Sequence, residues 1–277
     1  MTDRTVQRLI IEALDIPSDF DSDKEIARRI DFLTSYLRST GLKGYVLGIS
    51  GGIDSTLTGR LTQLACERLR DEGYDARFVA LRLPYGAQAD EEDAQRAMDF
   101  ICPDERLSID IAPGTDALWE QILVSGEQGM SEFVKGNVKA RQRMAVQFAV
   151  AGARSMLVVG TDQGAEALVG FFTKFGDGAA DVMPIAGLPK RRVRQLAQAL
   201  GCPDYLVNKV PTADLESDRP LLPDELALGV TYDQIDTYLE GGQISSEAEE
   251  TILRWYRRSA HKRELPMTPG MWEKKNA

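Results

Sequence analysis

Tyr45-Val46-Leu47-Gly48-Ile49-Ser50-Gly51-Gly52-Ile53-Asp54-Ser55 is the stretch that decides the fold of this 277-residue chain. Residues 45–49 carry no charge and read as a buried strand. Gly51 and Gly52 let the backbone turn tightly, so that several N–H groups aim at one point. The helix expected over 55–70 adds its positive end to that point, and the unit becomes an anion cradle. A Walker loop would need GxxxxGK followed by Ser or Thr. This turn has no lysine, so backbone amides and the Ser50 and Ser55 hydroxyls would hold phosphates, while Asp54 offers a hard oxygen to magnesium. The plain alternative is a helix N-terminus capped by Asp54 and Ser55.

Outward from this turn, strands and helices alternate. Ile26, Ile30, Leu33 and Leu37 give a helical period over 23–38. Further strands are expected over 77–83, 107–111 and 156–160, with helices over 89–100, 131–153, 190–200 and 247–263. This order implies right-handed crossovers and an α/β fold, a doubly wound, mostly parallel sheet with helices on both faces. Ligands in such folds sit beyond the carboxyl ends of the strands. The chain reads as a single domain over 1–277, with 1–40 as an N-terminal helical part. Two stretches resist the pattern: 170–188, rich in glycine and aromatics, and 204–224, which holds Pro211, Pro220 and Pro223. The second has no element of its own in this reading, and its length fits an active-site lid.

Composition narrows the function. Hydrophobic residues make up 43% and charged residues 27%, a globular balance. The net charge of -10 repels a phosphate backbone, so no nucleic-acid partner is expected. Cys66, Cys102 and Cys202 lie far apart and form neither a disulfide framework nor a zinc site. No apolar run is long enough to span a membrane, and residues 1–11 lack a signal-peptide core, so a cytoplasmic enzyme is expected.

In the helix over 131–153, Val134, Val138, Ala145 and Phe148 share one face, with Arg141 in its middle and Asn137 beside it. Lys139 and Arg143 point the other way, where solvated charge belongs. A guanidinium in an apolar stripe needs an anionic partner, either a structural acid or a ligand.

SGGxDS resembles the fingerprint of the PP-loop (N-type) ATP pyrophosphatases, which cleave ATP between its α- and β-phosphates. Five further stretches resemble the ammonia-dependent NAD synthetases of that superfamily: Gly136-Asn137-Val138-Lys139-Ala140-Arg141, Val159-Gly160-Thr161-Asp162 with Ala165-Glu166, the run from Gly170 to Gly178, Lys209 to Leu215, and His261-Lys262-Arg263. The similarity spans about residues 24–269. Ile53 departs from it, where the family often has a polar residue, but the position is a variable one.

The resemblance implies that the Gly48 to Ser55 run, with Arg82, Gln88, Thr161, Lys190 and Thr212, binds ATP. It makes Asp54 and Glu166 the Mg²⁺ ligands. It assigns Phe133, Asn137, Arg141, Lys174, Asp181, His261 and Lys262 to nicotinic acid adenine dinucleotide (deamido-NAD). Asp177, in the glycine-rich run, is the candidate base for ammonium. The implied reaction adenylylates the nicotinate carboxylate, releases pyrophosphate and lets ammonia displace AMP to give NAD. A homodimer is expected. The rival readings are another PP-loop adenylylating ligase, a tRNA thiolase, and a nucleotide-binding module without catalysis. The absence of CxxC and the acidic charge count against the thiolase, and the pair Asp54 and Glu166 against the silent module. Free ammonia is the expected nitrogen donor. The one histidine, His261, lies beside substrate-contacting Lys262, and no cysteine stands in a nucleophile motif.

Overall fold

The computed structural model describes residues 3–88, 90–210, 212–213, 222–264 and 266–276. Two helices come first, α1 (Asp3–Ala13) and α2 (Ser22–Thr40), followed by β1 (Gly44–Gly48), α3 (Ile53–Asp71), β2 (Arg77–Arg82), α4 (Glu91–Ile101) and β3 (Glu105–Ser108). Then come α5 (Ala112–Val124), the long α6 (Glu132–Arg154) and β4 (Leu157–Val158). The four strands pair in parallel in the order β3-β2-β1-β4, as the alternation of strands and helices requires.

Because side chains alternate across a strand, β1 feeds two cores. Tyr45, Leu47 and Ile49 enter the larger one, with Leu33 and Leu37 of α2, and Leu57 and Leu61 of α3. Val46 enters the other with Val79, Leu81 and Ala151. Truncating a buried leucine such as Leu57 to alanine would cost about 2–5 kcal/mol.

The sheet order reverses direction beside β1, and there the strands part. The Val159 N–H makes the last bond to β1, at the Val46 carbonyl 2.9 Å away, and the same residue bridges to Val182 on its other side. That leaves the Gly48 N–H without a strand partner, and the Gln147 side chain of α6 accepts it at 2.8 Å. The gap beyond β1 and β4 is the crevice in which an open α/β sheet takes ligands.

The second half of the chain adds α7 (Gly164–Val169), α8 (Lys190–Ala199), α9 (Asp204–Val207), β5 (Thr212–Ala213), β6 (Leu222–Pro223), α10 (Asp224–Leu228), α11 (Tyr232–Leu239), α12 (Ser246–Arg258), α13 (Ala260–Arg263) and α14 (Pro269–Asn276). Helices α1, α7, α11 and α12 share a third apolar core.

Four expectations need correction. The third strand lies a little earlier than 107–111 because Val79 to Arg82 of β2 pair with 105–108. The single helix over 247–263 breaks at Ser259, whose Oγ bonds back to the Trp255 carbonyl at 2.7 Å. A Cβ on Gly170, which stands at φ 65, would meet the Ser259 Cβ at 2.1 Å, so the break and the glycine are a matched pair. The stretch over 204–224 does contain elements: α9, and the antiparallel β5-β6 pair. Part of the lid expected there, 211 and 214–221, lies outside the described residues.

The fourth correction concerns α6. Lys139, expected in solvent, is 4% exposed and lies 4.3 Å from the centroid of the Tyr85 ring. Arg143 donates to the Leu83 carbonyl at 3.0 Å. Lys139, Arg143 and Gln147, four apart, therefore face the protein. Arg141, Ala145 and Phe148, expected on the buried face, are exposed, while Val138 of that face is buried.

Candidate active site

The phosphate turn is organised by its own hydroxyls. Ser50 Oγ accepts from the Gly52 N–H at 3.2 Å and meets Ser55 Oγ at 3.1 Å. Ser55 Oγ in turn donates to the Gly52 carbonyl at 3.0 Å. Gly51 stands at φ 82, and a Cβ there would lie 2.7 Å from the Ala94 N of α4. No side chain caps α3 at Gly52, which leaves its first amides for an anion from outside.

Asp54, in the first turn of α3, meets Lys190 across the crevice: Lys190 Nζ stands 2.5 Å from Asp54 Oδ2, with the lysine side chain 3% exposed. Lys190 opens α8. Its backbone N–H and that of Arg191 both donate to the buried Asp236 carboxylate, at 2.8 and 2.6 Å. Asp236 is thus the remote cap of α8, standing in for Pro189, which offers no side-chain acceptor. Burial pushes its carboxyl up to about 6.

Acid groups crowd around this lysine. Burial by itself would lower the Lys190 ammonium, but Asp54 and Glu166 together outweigh it and hold it above its usual value. Burial, then the Asp54 charge, pushes Glu166 well above the usual carboxylate range. Asp162, 8% exposed, is raised by burial and by Asp177 and Asp54. Asp177 accepts from the Thr173 N–H at 2.9 Å, and desolvation raises its carboxyl as well.

The donor set fits magnesium held jointly with a phosphate ligand. Asp54 Oδ1 is buried with no hydrogen-bond partner among the described residues. Among the described residues no three acids, histidines or cysteines converge into a closed metal cage. Two carboxylates with phosphate oxygens and waters are what Mg²⁺ takes.

Asp177 joins these acids to a connected polar surface made by α6, the run over 170–178 and α13. Asn137 of α6 donates to the Phe133 carbonyl at 3.1 Å and accepts from Thr173 Oγ1 at 2.7 Å. Arg141 donates to the Lys174 carbonyl at 3.2 Å. Lys174 Nζ donates to the His261 carbonyl, and Lys262 Nζ to those of Gly170 and Phe172 at 2.8 and 2.7 Å. Six of the seven residues expected to touch deamido-NAD therefore belong to one connected surface, with Phe133 65% exposed at its end. Asp181, the seventh, accepts from the Val158 N–H at 2.7 Å and so closes the open edge of β4.

The remaining expected ATP contacts divide. Thr161 is half-buried just after β4, and Gln88 half-buried between β2 and α4. Thr212 lies in β5. Arg82 is 4% exposed and already paired with Glu91 and Asp90, both at 2.8 Å. It also reaches the Ile49 carbonyl at 3.4 Å. A guanidinium held this way shapes the floor of the phosphate turn, and a direct ATP contact would compete with two ion pairs.

The NAD synthase family matches residues 25–266. This chain belongs to it. The ammonia-dependent NAD⁺ synthetase of Burkholderia cenocepacia is 58% identical over 270 residues, 96% of each chain. The crystal structure of the NAD⁺ synthetase from Burkholderia pseudomallei superposes with a TM-score of 0.82 at 53% identity, covering 95% of this chain and 98% of that one. The NMN synthetase of Francisella tularensis gives a TM-score of 0.78 at 35% identity, covering 91% and 99%. Membership makes the chain a carbon–nitrogen ligase on the parallel sheet described above.

Several residues gathered at this candidate site carry no signal in the sequence alone. Asp162 follows Thr161 directly, but nothing in one sequence marks it as buried. Gln147 sits on the face of α6 taken for solvent. Asp236 and Tyr232 lie on α11, whose start was legible: Thr231 and Gln234 form a capping box.

Proposed function

We propose that this chain converts deamido-NAD to NAD with ATP and ammonia, releasing AMP and pyrophosphate. A carboxylate is a poor acyl donor because oxide would have to leave. Attack of the nicotinate carboxylate on the α-phosphorus of ATP forms an acyl-adenylate and expels pyrophosphate. Ammonia then adds to the acyl carbon and AMP departs. The observation that carries this reading is the buried pair Lys190–Asp54 at the uncapped head of α3.

In this reading the α3 amides and the Ser50 and Ser55 hydroxyls hold phosphate oxygens, and Lys190 moves from Asp54 to a phosphate. Asp54 and Glu166 would hold Mg²⁺, which when bound neutralises charge on the phosphates. Asn137, Arg141, Lys174, His261 and Lys262 align the carboxylate for in-line attack. Asp177 takes the proton from ammonium, a role that suits a carboxyl that burial holds above its usual range. None of this requires a protein nucleophile, in keeping with Cys66 and Cys202 being buried.

A homodimer belongs to the same proposal. The outward face of α6 carries Ala145, Phe148, Ala149 and Gly152 in solvent, while the helix turns Lys139, Arg143 and Gln147 inward. An apolar face of this kind suits a second copy, and sedimentation at twice the chain mass is the expected result. Among the described residues no helix is long and apolar enough to cross a membrane, and a cytoplasmic setting completes the proposal.

The test compares nitrogen donors and acceptors. NAD should form from deamido-NAD with ammonium, and not with ammonia-free glutamine. Nicotinate mononucleotide in place of deamido-NAD separates this reading from an NMN synthetase. Faster turnover of the mononucleotide would overturn the assignment of the dinucleotide.

A further inference from the structure

Lys190 is held from one face of α11 at both of its ends. Asp236 accepts its backbone N–H. One helical turn earlier, Tyr232 lies beneath its ammonium, with Nζ 5.0 Å from the ring centroid. Residues four apart on a helix share a face, so α11 presents a carboxylate to the root of the lysine and an aromatic ring to its tip. Tyr232 is 3% exposed, and its hydroxyl donates to Asp224 Oδ2 at 3.0 Å. Asp224, 6% exposed, has its other oxygen, Oδ1, buried with no hydrogen-bond partner among the described residues. It opens α10 directly after β6, and the Tyr232 N–H donates to neighbouring Glu225 at 2.8 Å.

Phenylalanine would fill the core at 232 equally well, and a buried aspartate with an idle oxygen is unfavourable unless a cation uses it. The cation whose charge acts on it is Lys190, and Asp224 is in turn among the acids that keep Lys190 charged. In the proposed reaction, which this inference rests on, Asp54 gives up Lys190 when it takes the metal. The ammonium then needs a second seat.

We propose that Tyr232 and Asp224 form that seat, as positioning residues that hold the Lys190 ammonium toward ATP once Asp54 lets go. The ring supplies a platform that does not compete with phosphate. The hydroxyl ties the ring to Asp224, whose free oxygen faces the charge requirement left by Asp54.

The experiment uses the full chain with Tyr232→Phe, Asp224→Asn and the double variant, read as NAD formation at saturating ammonium and Mg²⁺. Each single variant should lower kcat about tenfold, leave the KM for ATP within about threefold, and barely move the melting temperature. The double should be no worse than the slower single, because both break one link. A bystander acid beside an anionic ligand gives the opposite pattern, a lower KM with kcat unchanged. The proposal is overturned if kcat stays within about twofold in both singles, if the losses multiply in the double, or if the effect lies in KM. Should Asp224→Asn not fold, Tyr232→Phe alone reads the same link, since it deletes only the hydroxyl. Wild-type chain that makes no NAD would count against the proposed function instead.

Discussion

Replacing Lys190 with methionine removes one ammonium from a buried crowd of acids while keeping the length of its stem. Asp54 then loses its partner at 2.5 Å, and Glu166 and Asp224 lose the charge that offset them. Stranding a buried ion in this way typically costs about 3–5 kcal/mol. The crowd can relieve itself by binding a proton, at a cost of about 1.4 kcal/mol for each pH unit above the carboxyl's own pKa. Because Glu166 already stands well above the usual range, that route limits the loss. We expect a deficit of about 3 kcal/mol at pH 7.5 that shrinks to below about 1 kcal/mol at pH 5.5. For a chain of this size that is a fall of roughly 6–12 °C in melting temperature at the higher pH. The sign follows from proton binding: the folded variant holds a proton that the unfolded chain does not, so acid stabilises it relative to wild type. Melting curves without Mg²⁺ at both pH values measure this. Equal stability at pH 7.5, or a deficit that does not change with pH, would refute the charge argument and leave only lost packing.

Three further outcomes follow from the same geometry. Asp54→Asn should keep the fold, because Glu166 and Asp224 still face Lys190, while turnover falls about 10²-fold or more even at saturating Mg²⁺; steady-state rates and a melting curve from one preparation check both. Arg141→Ala should raise the KM for deamido-NAD about tenfold and leave that for ATP near wild type; the side chain is exposed, so a large melting loss would mark it as structural. Asp236, raised to about 6, binds its proton more tightly in the folded chain, so its contribution to stability is greatest below about pH 4 and is lost as pH climbs through about 6. Asp236→Asn should flatten that part of the stability profile in denaturant titrations, and an unchanged slope would assign it to other acids.

Much of this site was legible because its parts are local. The phosphate turn, the first strand and the helix after it are contiguous, and glycine geometry with a buried apolar run fixes all three. The long helix was legible as a helix but not in its orientation. One face carries Ala145 and Phe148, the other Lys139, Arg143 and Gln147, and hydropathy favours burying the apolar one. The fold does the reverse, because the phosphate turn and the end of β2 need donors and acceptors that only the polar face supplies. Asp236 and Tyr232 were illegible as site residues for another reason. Their role depends on α11 lying against α8, a contact between segments about 45 residues apart that no local period encodes.

The most direct test of the central claim is the product balance of a single reaction. Purified chain is given ATP, Mg²⁺, ammonium and deamido-NAD, and the products are separated by chromatography. AMP, pyrophosphate and NAD should appear in equal amounts, with no AMP formed when deamido-NAD is withheld. ADP and phosphate in their place, or AMP released without NAD, would contradict the account.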